Sequence, residues 1–380
     1  MDFQFSEEQV QIQKLAREFA EGEFKKDIIL KCEHEECFPF EIWKKACELG
    51  LIGIRFPQEV GGAGLGVLEN VLAIEEFCRK DSGVGLAFSC ALPGAELVAL
   101  HASPEQKEKY LVPFLKGEKY FSIGLTEPNH GCDVRTLSTT AVRDGDEYII
   151  NGAKTFTSFG TFSDFNPVFC QTDAEAGYHG QTVIIVEKGT KGFEFVHIPD
   201  KMGARMMPSA QLFFDNVRLP VENRIGEENK GFPLFMGTML ASRIEMAAQT
   251  LGIAQGALDK AIDYSQQREQ WGAPIAKIEV IRFKLAEMAI LVGAIRPMVY
   301  QAAWNYDHGK ADLKQTAIAK VFAAEAALKV TDEAMRIMGG YGYLLEYDTE
   351  RYYRDARAHI FLEGTIEVQK MIIAGAILGS

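Results

Sequence analysis

The chain has 380 residues, 47% hydrophobic and 24% charged, enough apolar surface for a large core and too much length for one simple layer, which predicts two or three domains. A formal net charge of -13 argues against nucleic acid as a partner, because phosphate binding needs a basic surface that releases counterions. No uninterrupted apolar run approaches the roughly 20 residues of a membrane span, and the N-terminus is a charged amphipathic segment rather than a signal peptide, so no membrane span and a cytoplasmic location are expected.

Residues 1 to 120 read as an N-terminal helical domain. In "FSEEQVQIQKLAREFA", Ser6 and Gln9 form a capping-box pattern, and Ile12, Leu15, Ala16 and Phe19 recur on one face. Helical patterning continues through "EIWKKACELG", "VLENVLAIEEFCRK" and "SPEQKEKYLVPFLKG", interrupted by the glycine-rich turn "EVGGAGLG".

From 121 to 232 the period changes. "TTAVRDGDEYIINGAKTFTS" carries β-rich segments broken by Asp-Gly and Asn-Gly, both strong hairpin signals. Further strands fit "NPVFCQT", "TVIIVEK", "FEFVHI" and "AQLFFDNVRL", which predicts a middle antiparallel β domain, a small barrel or sandwich. Residues 233 to 380 return to long, alanine-rich amphipathic helices that suit a C-terminal four-helix-bundle domain. The fold class is α+β, in the order helical, β, helical.

The seven cysteines, Cys32, Cys37, Cys47, Cys78, Cys90, Cys132 and Cys170, form neither a C-x-x-C pair nor an even framework. They read as reduced thiols. The histidines lack metal-site spacing and no Gly-x-Ser-x-Gly elbow occurs, which disfavours zinc and serine hydrolases.

Several segments can carry chemistry, and each also has a plain structural reading. "GLTEPNHGCD" offers the Thr126 hydroxyl and, through Gly131, close backbone approach to a polar heterocycle; Pro128, Asn129 and Gly131 equally make a surface turn. "NGAKTFTSFG" supplies Phe156 to stack on a planar ring and Ser158 to hydrogen-bond it, or a strand with a buried Phe. Arg268 in "QQREQWGAPI" can clamp a pyrophosphate, or simply end a helix ahead of a glycine cap at Gly272. "MRIMGGYGY" exposes backbone amides at Gly339 and Gly340 after a helix, without the strand that a Rossmann fingerprint requires. In "FLEGTIEVQK", Glu363 precedes the N-cap Thr365, so it is either a dipole-favoured acid or a base. Residue chemistry alone leaves that choice open.

Together, in this order and spacing, "GLTEPNHGCD", "GDEYIINGAKTFTSFG", "REQWG", "MRIMGGYGY" and "LEGTIEVQKMIIA" resemble the acyl-CoA dehydrogenase family over essentially the whole chain. The resemblance implies a homotetramer with one FAD per subunit, an acyl-CoA thioester substrate and an electron-transfer flavoprotein as partner. It puts Leu125 and Thr126 at the flavin pyrimidine, Ser158 at flavin N5, and Phe156 where a tryptophan usually packs beside the ring system. Gly131 and Cys132 fall in the cofactor loop, Cys132 also where a serine often touches CoA. Arg268, Trp271 and the stretch from Arg336 through Gly339 and Gly340 fall at positions that reach the FAD of a neighbouring subunit. Thr365 and Glu367 match adenine-side contacts, while Arg243 and Gly364 belong to the substrate cleft.

Glu363 coincides with the family's catalytic base. That role implies α-proton abstraction from the thioester, with the β-hydrogen leaving as hydride to flavin N5 and giving a 2-enoyl-CoA. The thioester oxygen is then held by a flavin ribityl hydroxyl and the Glu363 N–H, an oxyanion hole, in an apolar cleft to which Phe361 and Leu362 are expected to contribute.

Departures from the family bear on the substrate. Gly85 stands where glutaryl-type members carry an arginine, which disfavours dicarboxyl thioesters, and Ser242 stands where some branched-chain members place their base. Leu362, Phe156, Phe159, Met206, Met207 and Pro208 also differ from common choices; they shape a pocket for a cyclic or aryl acid, or they repack a core. Other readings that remain are the reverse reaction as an enoyl-CoA reductase, an oxidase, and a non-catalytic flavin- or CoA-binding assembly protein.

Overall fold

The computed structural model describes residues 4–379. The first zone holds α1 (Glu7–Glu23), α2 (Lys26–Glu35), α3 (Phe40–Glu48), α4 (Val67–Lys80), α5 (Ser82–Cys90), α6 (Pro93–His101) and α7 (Pro104–Leu115). The expected capping box opens α1: Gln9 N donates to Ser6 Oγ at 3.1 Å and Ser6 N to Gln9 Oε1 at 3.0 Å. Ala16 and Phe19 are buried as their spacing predicts, whereas Leu15 is 40% exposed. It sits about 100° around the helix from Ala16, off the seam that faces α4.

One apolar stretch does reach the length of a membrane span, correcting the expectation: Ser82–His101. It comprises α5 and α6, and 83% of its most apolar window is buried inside the protein. Its composition serves the core. That core runs without a break from Phe38, Trp43 and Phe88 to Phe159, Phe165 and Phe169 of the middle zone.

The middle zone is a single sheet of β1 (Thr140–Asp144), β2 (Glu147–Ser158), β3 (Phe165–Gln171), β4 (Gln181–Glu187), β5 (Phe193–Ile198), β6 (Ser209–Pro220) and β7 (Arg224–Ile225). The order is β5-β6-β2-β1-β3-β4-β7, with open edges at β5 and β7, so its hydrogen bonding does not close into a barrel. Pairing is antiparallel except where β1 meets β3 in parallel, Thr140 opposite Gln171. The predicted turn between β1 and β2 forms at Gly145-Asp146, directly after Asp144 closes β1 opposite Glu147. Asn151-Gly152 does not turn, because β2 continues against β6. The register shifts there, Gly152 adopts φ 142°, and a Cβ on it would lie 2.6 Å from Thr139 Cα.

The last zone contains α8 (Gly231–Gln267), a small hairpin of β8 (Glu269–Gln270) and β9 (Ala273–Pro274), α9 (Glu279–Asp307), α10 (Leu313–Met338), α11 (Thr349–Ala358) and α12 (Ile366–Leu378). Two glycines let α8 lie directly on α4: a Cβ at Gly252 would meet Glu75 O at 2.4 Å, and one at Gly256 would meet Arg79 O at 2.2 Å. Helix α4 thereby joins α8, α9, α10 and α11 in one apolar cluster. The segment between α11 and α12 is wedged where α8 and α10 meet.

Candidate active site

That segment carries Glu363. Two consecutive residues take the left-handed conformation, Glu363 at φ 55° and Gly364 at φ 86°. A non-glycine residue holds such a conformation only where its surroundings impose it. Lys320 of α10 donates to Leu362 O at 2.8 Å and to Gly364 O at 2.5 Å, and Gln369 of α12 donates to Glu363 O at 3.2 Å and to Gly364 O at 3.4 Å. Both donors are buried. Helix α12 then starts at its expected cap, with Val368 N donating to Thr365 Oγ1 at 3.3 Å.

Glu363 as a residue is partly exposed, but its carboxyl is shielded. Burial raises its pKa above the ordinary value, opposed by the charges of Arg243 and Lys320 and by a hydrogen bond with Ser242, while Glu245 adds to the rise. Arg243 is buried, with Nε and Nη1 lacking a partner among the described residues, and burial lowers its pKa against the pull of Glu363. A Cβ built on Gly364 would lie 4.0 Å from Arg243 Nη2. Burial likewise lowers Lys320 to about 8. The outcome is a carboxylate made more basic by its surroundings, beside two cations and a hydroxyl.

On the sheet side, Thr155 N donates to Thr126 O at 2.8 Å, fixing the loop that carries Leu125 and Thr126 against β2. A bulge between Lys154 and Thr157 puts Phe156 at φ 52° and leaves it 69% exposed. The expected alternative of a buried strand Phe is not found; the extra residue rotates the ring outward. Ser158 lies half-buried two residues on. Among the described residues, nothing pairs with the hydroxyls of Thr126 or Ser158. Gly131 and Cys132 are exposed, and Cys132 Sγ lies 4.0 Å from Thr365 Oγ1, joining this loop to the start of α12. Glu367, in the first turn of α12, is exposed.

A separate cavity of about 550 Å³ is lined by Arg268, Trp271, Gly339 and Gly340, with Tyr264 and Tyr341. The Arg268 guanidinium lies 5.5 Å from the Tyr341 ring centre. Gly272 is not a helix cap. Helix α8 ends at Gln267, and Trp271-Gly272, at φ 49° and 77°, form the turn of the β8–β9 hairpin, which leaves Trp271 89% exposed. Arg336 does not line this cavity; it pairs instead with Glu333 at 2.7 Å on its own helix.

Some of the residues that differ from common choices are core residues. Phe159 is buried with ring-centre distances of 5.6 Å to Phe38 and 5.8 Å to Phe162, and Met206 and Met207 are buried in the same core. Phe361 is 60% exposed and so does not enclose the carboxyl within one chain. Sequence reasoning missed Lys320, Gln369 and the contact of Ser242 with Glu363. It also missed the buried Glu127–Lys154 pair, 2.7 Å apart.

Three family models match in succession: the acyl-CoA dehydrogenase N-terminal domain over residues 6–118, the middle domain over 122–217 and the C-terminal domain over 229–378. The chain is 42% identical to the 3-(aryl)acrylate reductase of Clostridium sporogenes over 376 residues, 98% of this chain and 99% of that one. It is 39% identical to a caffeyl-CoA reductase-Etf complex subunit of Acetobacterium woodii, again over 98% and 99%. The solved structure of butyryl-CoA dehydrogenase from Megasphaera elsdenii matches with a TM-score of 0.95 and 40% identity over 100% of both chains.

Proposed function

The chain belongs to the acyl-CoA dehydrogenase family, and on that premise we propose that Glu363 is the catalytic base acting on an acyl-CoA thioester. The protein is an FAD-dependent oxidoreductase of carbon–carbon single bonds. The observation that carries the assignment of Glu363 is its carboxyl, shielded and raised in pKa on a braced left-handed turn beside Ser242, Arg243 and Lys320.

In the proposed reaction Glu363, as carboxylate, takes the α-proton, and the electron pair left on the α-carbon closes the bond to the β-carbon. The chemistry that FAD supplies when bound is that of an acceptor for the hydride leaving the β-carbon. The Glu363 N–H steadies the thioester oxygen as it gains enolate character. Arg243, Gly364 and Cys132 hold the substrate.

The residues present fit FAD. The unpaired hydroxyls of Thr126 and Ser158 offer donors beside Leu125 and the exposed Phe156 ring, with Gly131 and Cys132 in the cofactor loop and Thr365 and Glu367 toward the adenine side. The Arg268 cavity, with Trp271, Gly339 and Gly340, suits the cofactor of a neighbouring subunit. Arg336 reaches it only by leaving Glu333. We assign the chain to a homotetramer, supported by exposed Val280, Phe283 and Ile290 on α9 and Met371, Ile377 and Leu378 on α12, and to an electron-transfer flavoprotein as redox partner.

The same groups run the reaction in reverse. The relatives carry both kinds of name, dehydrogenase and reductase, and the two reductases named above support an aryl thioester as the acyl class. Anaerobic titration of the yellow protein with straight, branched, cyclic and aromatic CoA esters, saturated and unsaturated, tests both points. Bleaching by a saturated ester, or reoxidation of the reduced protein by its enoyl partner, is expected, strongest for aryl acids. A protein that binds these esters with no colour change in either direction would be an assembly protein instead.

A further inference from the structure

Lys320 is 1% exposed on the apolar face of α10, where its neighbours one turn away are Thr316 and Ala324, and burying an ammonium there costs several kcal/mol unless its hydrogen bonds are supplied. They are supplied by the carbonyls of Leu362 and Gly364, one on either side of Glu363, at 2.8 and 2.5 Å. A trans peptide is planar, with its C=O and N–H pointing in opposite directions. Gripping Leu362 O therefore also fixes where the Glu363 N–H points. Among the described residues, no group accepts that N–H.

We propose that Lys320 is a positioning residue that holds the Glu363 N–H toward the thioester oxygen of the substrate by gripping the carbonyls that flank Glu363. The inference rests on the reading of the 363 turn as the catalytic one, and it adds a group in the protein that orients the oxyanion donor. The ammonium also polarises the peptide it grips, which strengthens the N–H as a donor. Its grip on Gly364 O holds the peptide between Gly364 and Thr365, and Gln369 holds the one between Glu363 and Gly364 through Glu363 O, so the Glu363 side chain leaves from a backbone fixed on both sides.

The test uses the FAD-loaded protein and an enoyl-CoA labelled with carbon-13 at the thioester carbonyl, read by infrared difference spectroscopy in the bound state. In the wild type the carbonyl stretch moves to lower frequency than in free solution. Lys320→Met is expected to lose about half or more of that displacement and to lower kcat by about 10²–10³-fold, the effect of one oxyanion donor, with KM and FAD content nearly unchanged. Lys320→Arg, which keeps cationic donors, is expected to restore most of the displacement. Should Lys320→Met fail to fold, Lys320→Gln, able to grip one carbonyl, carries the same readout and is expected to show a partial loss.

A wild-type carbonyl stretch in Lys320→Met or Lys320→Gln overturns the proposal. Because the enoyl ester is read without turnover, that result is independent of the base. Failure of the base reading would show instead as undiminished bleaching in Glu363→Gln.

Discussion

Lys154 Nζ lies 2.7 Å from Glu127 Oε1, with neither side chain open to solvent. The same carboxylate accepts Ser138 N at 2.6 Å and Thr139 N at 2.8 Å, and Lys154 also donates to Leu125 O at 3.2 Å. Burial works to raise the Glu127 pKa, but the Lys154 charge and these hydrogen bonds outweigh it, so the net direction is downward and Glu127 is ionised at neutral pH. The pair ties both ends of the 127–139 loop to β2. Removing one partner from a buried pair costs ~3–5 kcal/mol because a charge is stranded. Lys154→Met is therefore expected to lower the thermal midpoint sharply and to reduce FAD content, while Lys154→Met with Glu127→Gln recovers part of the loss. A single variant as stable as wild type would remove the pair from this role.

Glu363→Gln keeps size and loses basicity. It is expected to retain FAD and to bleach at least ~10²-fold more slowly than wild type, the lower end of general-base loss. Since the base must be deprotonated and its pKa is raised above 4.5, kcat/KM is expected to fall with decreasing pH through a value above that point. Arg243 pulls this pKa down. Arg243→Met should therefore move the acid limb to higher pH, and an unmoved limb would mean that another group titrates.

The order of helical, β and helical zones was legible because hydrophobic period, caps and turn residues are local signals; the Ser6 and Thr365 caps were visible for that reason. Asn151-Gly152 misled because a bulge and a hairpin turn both call for glycine, and only pairing with β6 decides between them. Trp271-Gly272 misled in the opposite sense, since a hairpin only two residues long on each side leaves almost no strand pattern. Within the site, Glu363 was visible through family resemblance alone. Lys320 did carry a signal of its own: a lysine in phase with Thr316, Ala323 and Ala327 on the apolar face of α10. What it grips lies 42 and 44 residues away in sequence, a separation that no local pattern encodes.

Buried between α4, α6 and α8, Glu96 and Glu245 share Arg55, whose Nη1 lies 2.9 Å from one and 2.6 Å from the other. Burial raises Glu96 to about 8, with the nearby Glu245 adding to the rise and Arg55 opposing it. The folded chain thus keeps this proton between pH 4.5 and about 8, where the unfolded chain has lost it, so this group's contribution to stability declines as pH rises across that window. Glu96→Gln mimics the protonated form at every pH. Its stability relative to wild type is expected to climb over the same window, by on the order of 1–3 kcal/mol, as read from denaturation midpoints at stepped pH. A difference independent of pH would show that Glu96 is ionised in the fold.

The left-handed turn at Gly364 supplies the last prediction, because position and conformation act on it separately. At φ 86° any side chain is strained, and a Cβ would also stand 2.8 Å from Gln369 Nε2, the group that braces Glu363 O. Gly379 ends α12 at φ 73° with nothing within 4 Å of a Cβ, so it carries the backbone strain without the collision. Gly379→Ala is expected to cost ~1–2 kcal/mol and leave kcat unchanged. Gly364→Ala is expected to cost ~1–3 kcal/mol and, by displacing Gln369 and rotating the peptide that Lys320 grips, to lower kcat by ~10²-fold, the effect of a displacement near 1 Å at a reacting group. Equal kcat in the two variants would show that the turn tolerates motion and that its two buried donors serve stability alone.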